Sequence, residues 1–213
     1  WDLTGDEPTV LIYHTHAMES YTPQTGEDYT EEVPFRTADL DYNMVSIGTR
    51  LAELLENAGI SVLHDTTLHD AASYNGSYAS SRETVEKYLA QYPSIRLVLD
   101  IHRDGVGESL HLVTDVDGKP TAQIMFFNGM SQTPEGPIEY LQNPYREQNL
   151  AFSFQMQLNA QAYYPGFTRK IYLKGLRYNL HLRPRSALVE VGAQTNTYEE
   201  ARNAMEPLSE LLD

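Results

Sequence analysis

The sequence has no cysteine, few basic side chains and no long apolar run, and each absence removes a class of protein. Without cysteine there is no disulfide and no thiolate metal ligand, so histidine, aspartate and glutamate are the only strong ligands on offer. Fifteen lysines and arginines stand against 30 aspartates and glutamates, a formal net charge of −15. That sign is wrong for gripping a phosphate backbone or an anionic membrane surface, so no nucleic-acid partner is expected. No stretch approaches the roughly 20 apolar residues that cross a bilayer, and no signal peptide opens the chain. It begins Trp1-Asp2-Leu3 rather than with methionine, which reads as a piece cut from a longer protein whose anchor or signal lies in the missing part.

What is present, 213 residues with an even spread of apolar positions, suits a single domain. A chain of this size buries about 70% of its unfolded surface without staples. Strand and helix patterns alternate. Val10–Tyr13 reads as a strand, and Met44, Ile47, Leu51, Leu54, Leu55 and Ala58 mark an amphipathic helix that stops at Gly59. Ile60–His64 reads as the next strand, and a polar loop rich in Tyr, Asn and Ser follows through Tyr78. Ser80 and Glu83 have capping-box spacing for a second helix, and Ile95–Ile101 reads as a central strand. Asp117-Gly118 signals a hairpin between Leu110–Thr114 and Ala122–Phe127. A surface loop, Ser131–Pro144, leads into a long helix from about Tyr145 to Tyr163. Strands near Ile171–Leu173 and at Ser186–Gly192 come next, and Thr197 and Glu200 cap the last helix. The expected fold is a single α/β domain over residues 1–213, with a central, mostly parallel or mixed sheet and helices on both faces.

Three polar clusters sit at predicted strand ends: His14, His16 and Glu19 in "VLIYHTHAMESY"; "DIHRDG", holding Asp100, His102, Arg103 and Asp104; and Glu190 in "ALVEVG". In open α/β sheets ligands collect at the carboxyl ends of strands, so the three clusters are expected to converge. If the chain turns helically after the first strand, His16 and Glu19 share one face, with Cβ atoms about 5–6 Å apart. An imidazole and a carboxylate so placed can hold one zinc ion, with His102 as third ligand and a position left open for catalysis. His14 also faces that side in an extended chain. His16 is taken as the ligand, with His14 behind it or facing substrate, and the reverse assignment stays open. Asp100 and Asp104 are placed to accept the other N–H of His102.

Glu190 lies in an otherwise apolar strand, and a buried carboxylate needs either a partner or a task. An ion pair with Arg183 or Arg185 is the structural alternative. The chemical one is a general base that deprotonates water beside zinc and passes the proton to a leaving amine. Arg185 and Arg103 are candidates to orient Glu190 or to bind a substrate carboxylate. Asn179 sits with Lys174 and Arg177 on the loop before the Glu190 strand, while Tyr21, Tyr42 and Tyr178 lie near these loops.

"YHTHAMESY", "DIHRDG" and "RPRSALVEVGAQTNTYEEA" resemble the stage II sporulation protein P family of endospore-forming bacteria, through most of the chain. That family resembles the zinc-dependent N-acetylmuramoyl-L-alanine amidases. In those enzymes a histidine follows strand one, a second ends a middle strand, and a glutamate lies in a late strand, which fall here on His16, His102 and Glu190. The resemblance implies a zinc amidase fold and cleavage of the amide between muramic acid and the first alanine of the peptidoglycan stem, with cross-link cutting also associated. It implies a partner, the lytic transglycosylase stage II sporulation protein D. It also implies an N-terminal anchor that holds the domain on the extracytoplasmic side, between mother-cell and forespore membranes. One departure stands out. The wider amidases take their glutamate ligand from just before the first helix, where this chain has Asp39 and Asp41, with Glu31 and Glu32 earlier. The close His-x-x-Glu spacing instead resembles zinc carboxypeptidases, and Glu19 is preferred. A peptidase acting only on stem peptides and a wall-binding module without catalysis are the competing classes.

Overall fold

The computed structural model describes residues 2–23 and 34–213. Its centre is a six-stranded mixed sheet. In chain order the elements are β1 (Val10–Tyr13), α1 (Met44–Asn57), β2 (Val62–His64), α2 (Ser77–Gln91), β3 (Leu97–Asp104), β4 (Val113–Val116), β5 (Lys119–Ala122) and β6 (Ile124–Gly129). They continue with β7 (Gln132–Thr133), β8 (Gly136–Pro137), α3 (Arg146–Tyr163), β9 (Tyr172–Lys174), β10 (Ser186–Ala193), α4 (Tyr198–Asn203) and α5 (Met205–Leu212). The sheet order is β2-β1-β3-β10-β6-β9, while β4-β5 and β7-β8 form separate hairpins. β1, β2, β3 and β10 run parallel, β6 runs antiparallel to β10, and β9 pairs in parallel with β6.

Residues alternate between the two sheet faces, and the two faces differ. Val10, Ile12, Leu97, Leu99, Ile101, Ala187, Val189 and Val191 pack with α1, α3, α4 and α5 in one continuous core. On the other face Leu11, Tyr13 and Val98 meet Val85, Tyr88 and Leu89 of α2, while Phe127 and Leu188 join Leu180 and Tyr178. Asp100, His102 and Glu190 belong to this second face, since each lies two residues from a member of it. One helix and one loop cover it, so the polar residues sit where the sheet is least thickly clothed.

Local chemistry accounts for most boundaries. Asn43 caps α1 by accepting the Val45 N–H at 2.9 Å. Gly59, at φ 86°, closes the far end, with Ile60 N–H donating to Leu55 O and Gly59 N–H to Glu56 O. The Asp117-Gly118 turn has both residues at positive φ, the geometry of a tight hairpin, but it joins β4 to β5, and most of the expected partner Ala122–Phe127 belongs to β6 beside β10 instead. Thr197 and Glu200 form the expected reciprocal cap on α4.

Two other expectations fail for identifiable reasons. Helix α2 starts at Ser77, three residues before Ser80, with no side-chain cap. The Ser80 hydroxyl is instead 3.0 Å from His69 Nδ1. Strand β3 runs on to Asp104 rather than stopping at Ile101, because β10 continues beside it and pairs Glu190 with His102.

Candidate active site

After Tyr13 the chain leaves the sheet and turns, with Glu19 N–H donating to His16 O at 3.2 Å. The turn brings both side chains to the C-terminal end of the parallel strands. Direct pairing of His102 with Glu190 adds the other two groups. His16, Glu19, His102 and Glu190 thus line one cavity of about 280 Å³, with Tyr74, Tyr78, Phe127 and Tyr178 on its walls. The His16 and His102 rings stand perpendicular, 5.3 Å between centroids.

The cavity holds buried polar atoms that the protein leaves unmatched. Glu19 Oε2 and Glu190 Oε2 are both buried and have no hydrogen-bond partner, while His102 Nε2 is engaged by the Asp100 carboxylate. Such unmatched atoms cost about 1–3 kcal/mol each unless something meets them. Burial pushes Glu190 up to about 8, against the opposing charge of His102. Glu19 is raised by burial as well, although Arg103 pulls the other way. Burial also works against the charge on His102, but the Asp100 anion outweighs it and lifts His102 to about 9. Asp100 Oδ1 pairs with His102 Nε2 at 2.8 Å, and its two oxygens accept from Thr15 N–H at 2.8 Å and Thr15 Oγ1 at 2.6 Å. Burial and the cation on His102 pull His16 down to about 3.

The donor types suit zinc: two imidazoles and a carboxylate, with a second carboxylate beside them. The two unmatched carboxylate oxygens, on Glu19 and Glu190, are what an ion and its surroundings would satisfy. As the side chains stand, no three His, Asp or Glu groups among the described residues are close enough together to hold a metal, so gathering them on one ion requires side-chain rotation.

The remaining sequence-predicted residues fall elsewhere. His14 is fully buried outside the cavity, its Nδ1 2.9 Å from Ile101 O and its Nε2 2.9 Å from His64 Nε2. Arg103 reaches the cavity but leans toward Glu19 rather than Glu190. It donates to Ser20 O at 2.8 Å and Phe35 O at 3.1 Å, with Nη1 3.9 Å from Glu19 Oε1. Asp104 binds Arg169 at 2.8 Å and the Gly105 N–H. Asn179 donates to Tyr78 O and Ser81 Oγ, joining the loop before β10 to α2.

Arg185 sits just before β10, beside a cavity of about 690 Å³ between α3 and α5. That larger cavity contains no histidine, so volume does not mark the chemistry here. No ion pair between Glu190 and Arg183 or Arg185 is formed; Arg183 donates to Pro93 O. Asp39 and Asp41 are exposed, with Asp41 in a separate groove beside Tyr42, and Glu31 and Glu32 lie outside the described residues. Tyr21 is buried and donates to Val191 O, while Tyr42 packs near Tyr198. Sequence reasoning missed Tyr74 and Tyr78 as cavity walls. Their four-residue spacing across the start of α2 is the one local cue.

Comparison with known proteins follows the same lines. A sequence profile of the family described as Stage II sporulation protein P (SpoIIP) matches residues 2–213. The chain belongs to the stage II sporulation protein P family. Stage II sporulation protein P of Bacillus subtilis (strain 168) is 28% identical over 212 residues, which cover 94% of this chain and 49% of that protein. This family member therefore spans about half the length of that curated relative. Among solved structures it is similar to the N-acetylmuramoyl-L-alanine amidase AmiC2 of Nostoc punctiforme, with a TM-score of 0.54, 14% identity, and 98% and 96% of the two chains covered. It is also similar to the CwlD amidase of Clostridioides difficile, solved in complex with the GerS lipoprotein, with a TM-score of 0.55, 13% identity, and 96% and 98% covered. The family member thus has the amidase fold expected of it. No helix among its described residues is long and apolar enough to cross a membrane.

Proposed function

We propose that this domain is a zinc-dependent peptidoglycan hydrolase that cleaves the amide between N-acetylmuramic acid and the first alanine of the stem peptide during sporulation. One observation carries the reading: two histidines and two glutamates from three distant segments line one cavity, with a buried, unmatched oxygen on each glutamate. Family membership and the amidase fold supply the substrate class.

In this reading His16, Glu19 and His102 hold the metal. When bound, zinc supplies Lewis acidity at the scissile carbonyl and makes water acidic enough to lose a proton near neutral pH. Glu190 accepts that proton on its unmatched Oε2 and returns it to the departing alanine nitrogen. Its raised pKa suits a group that must both take and give a proton near pH 7. Asp100, locked by Thr15, holds charge against His102. Arg103 ties the Glu19 turn to the segment around Phe35. The aromatic walls exclude bulk water from the scissile bond.

By family resemblance the whole protein works beside stage II sporulation protein D, on the outer side of the membrane to which it is anchored. Mass spectrometry of digested peptidoglycan tests the cleavage, run with and without a chelator. Free stem peptides beside intact glycan are expected, and their loss with chelator. Shortened peptides still joined to muramic acid would instead mark a peptidase. No product together with no bound zinc would mark a binding module.

A further inference from the structure

The turn carrying His16 and Glu19 is gripped from one side by a single short segment. Asp70 Oδ1 accepts the Met18 N–H at 3.2 Å. The Tyr74 ring lies flat on the His16 imidazole, 4.1 Å between centroids and 10° between planes. Arg36 backs Tyr74, its Cζ 5.1 Å from the ring centroid, and its Nη2 reaches Asp70 Oδ2 at 2.8 Å. At the start of α2, the fully buried Ser77 places Oγ 3.3 Å from His16 Nδ1.

Hydroxyl accounting then decides which imidazole nitrogen carries the proton. A serine has one proton to donate and two lone pairs to accept with. Ser77 Oγ lies 2.8 Å from Tyr74 O, a carbonyl that can only accept, so the hydroxyl proton goes there. Toward His16 the oxygen therefore presents a lone pair, and Nδ1 must be the donor. A neutral imidazole has a single N–H, so its free lone pair is on Nε2.

We propose that Ser77 is a positioning residue that fixes His16 as its Nδ1–H tautomer, and that Tyr74 clamps the plane of the ring, so that Nε2 is the atom presented for metal binding. The metal part rests on the amidase reading above; the tautomer does not. Partners of this kind on metal-binding histidines typically change affinity by about 10–100-fold.

Two measurements on the zinc-free and zinc-loaded protein test this. Long-range nitrogen–proton NMR of the zinc-free protein, with the His16 signals assigned through His16→Gln, should show the Nδ1–H form. Ser77→Ala should mix the two tautomers and weaken zinc, titrated against a competing chelator, by about 10–100-fold. Ser77→Thr should restore both. Tyr74→Leu, at a half-exposed position, should leave the tautomer unchanged and still lower affinity. An Nε2–H signal in the unsubstituted protein overturns the proposal without any variant. So does a Ser77→Ala protein with unchanged tautomer and affinity. A protein with the Nδ1–H form that binds no zinc would sink the amidase reading and leave the role of Ser77 standing.

Discussion

In the proposed mechanism the chemistry turns on Glu190. It is half-buried in the middle of a parallel–antiparallel junction, beside His102 and opposite Met125, and one of its oxygens is buried and meets no donor. Glutamine has the same shape without the exchangeable carboxyl proton. Glu190→Gln is therefore expected to keep zinc and lower kcat by about 10²- to 10⁴-fold, the usual worth of acid–base help. His102→Ala should lose both zinc and turnover, as metal content and product release measured on one preparation would show. If Glu190→Gln cleaved at the unsubstituted rate, the base would have to lie elsewhere. The third ligand can be separated in the same way. Glu19 faces the cavity, whereas Asp41 is exposed in another groove. Glu19→Ala should lose zinc and Asp41→Ala should retain it; the reverse result would move the ligand into the stretch before α1.

At the scale of elements, the seam between α1 and the sheet holds the tightest constraint. Gly48 is buried on α1, and a Cβ there would stand 2.4 Å from His14 Nε2 and 2.6 Å from His64 Nε2. Both imidazoles are held in place: His14 Nδ1 contacts Ile101 O, and the two rings meet edge to face with centroids 5.2 Å apart. Alanine would gain about 1 kcal/mol of helix propensity at this position. Overpacking typically costs about 1–3 kcal/mol, and here the histidines have nowhere simple to go. Gly48→Ala is expected to lower the melting temperature by several degrees at most, since 1 kcal/mol shifts a chain of this size by about 2–4 °C. Thermal unfolding followed by circular dichroism would show it, and a rise in melting temperature would mean that the pair yields easily. The same seam explains why His14, two residues from a proposed ligand, stays out of the cavity: Ile101 O and His64 hold it on the α1 side.

For the whole molecule, two buried carboxylates outside the cavity lining tie stability to pH. Burial pushes Asp65 up, but hydrogen bonds from His69 and Thr67 outweigh it and leave the pKa lowered. Glu200, opposed in the same way by burial, is lowered by His111, Asn196 and the Thr197 N–H. A carboxyl that is more acidic when folded stabilises the fold above its unfolded pKa of about 4, and that contribution is lost as pH falls through the folded value. Melting temperature should therefore drop below about pH 4. The drop should be shallower in Asp65→Asn. Identical slopes for the two proteins would show that Asp65 does not report on acid unfolding.

Much of this protein is determined by its sequence alone, because the signals are local. Apolar spacing marks α1, Asp117-Gly118 marks the β4–β5 turn, and Thr197 with Glu200 marks the cap of α4; each depends on neighbours within a few residues. The polar breaks at His16, Glu19, His102 and Glu190 were legible for the same reason, as charges set in or beside apolar strands. Only the tertiary structure decided which of the other polar groups join them. Arg185 and Glu190 lie five residues apart yet line different cavities, and His14 and His16 lie two residues apart yet only His16 lines the polar one. Ser77 and Tyr74 reach His16 across 61 and 58 residues of chain. Contacts of that kind are set by strand order and sheet face, which come from the collective burial of apolar side chains rather than from any short stretch.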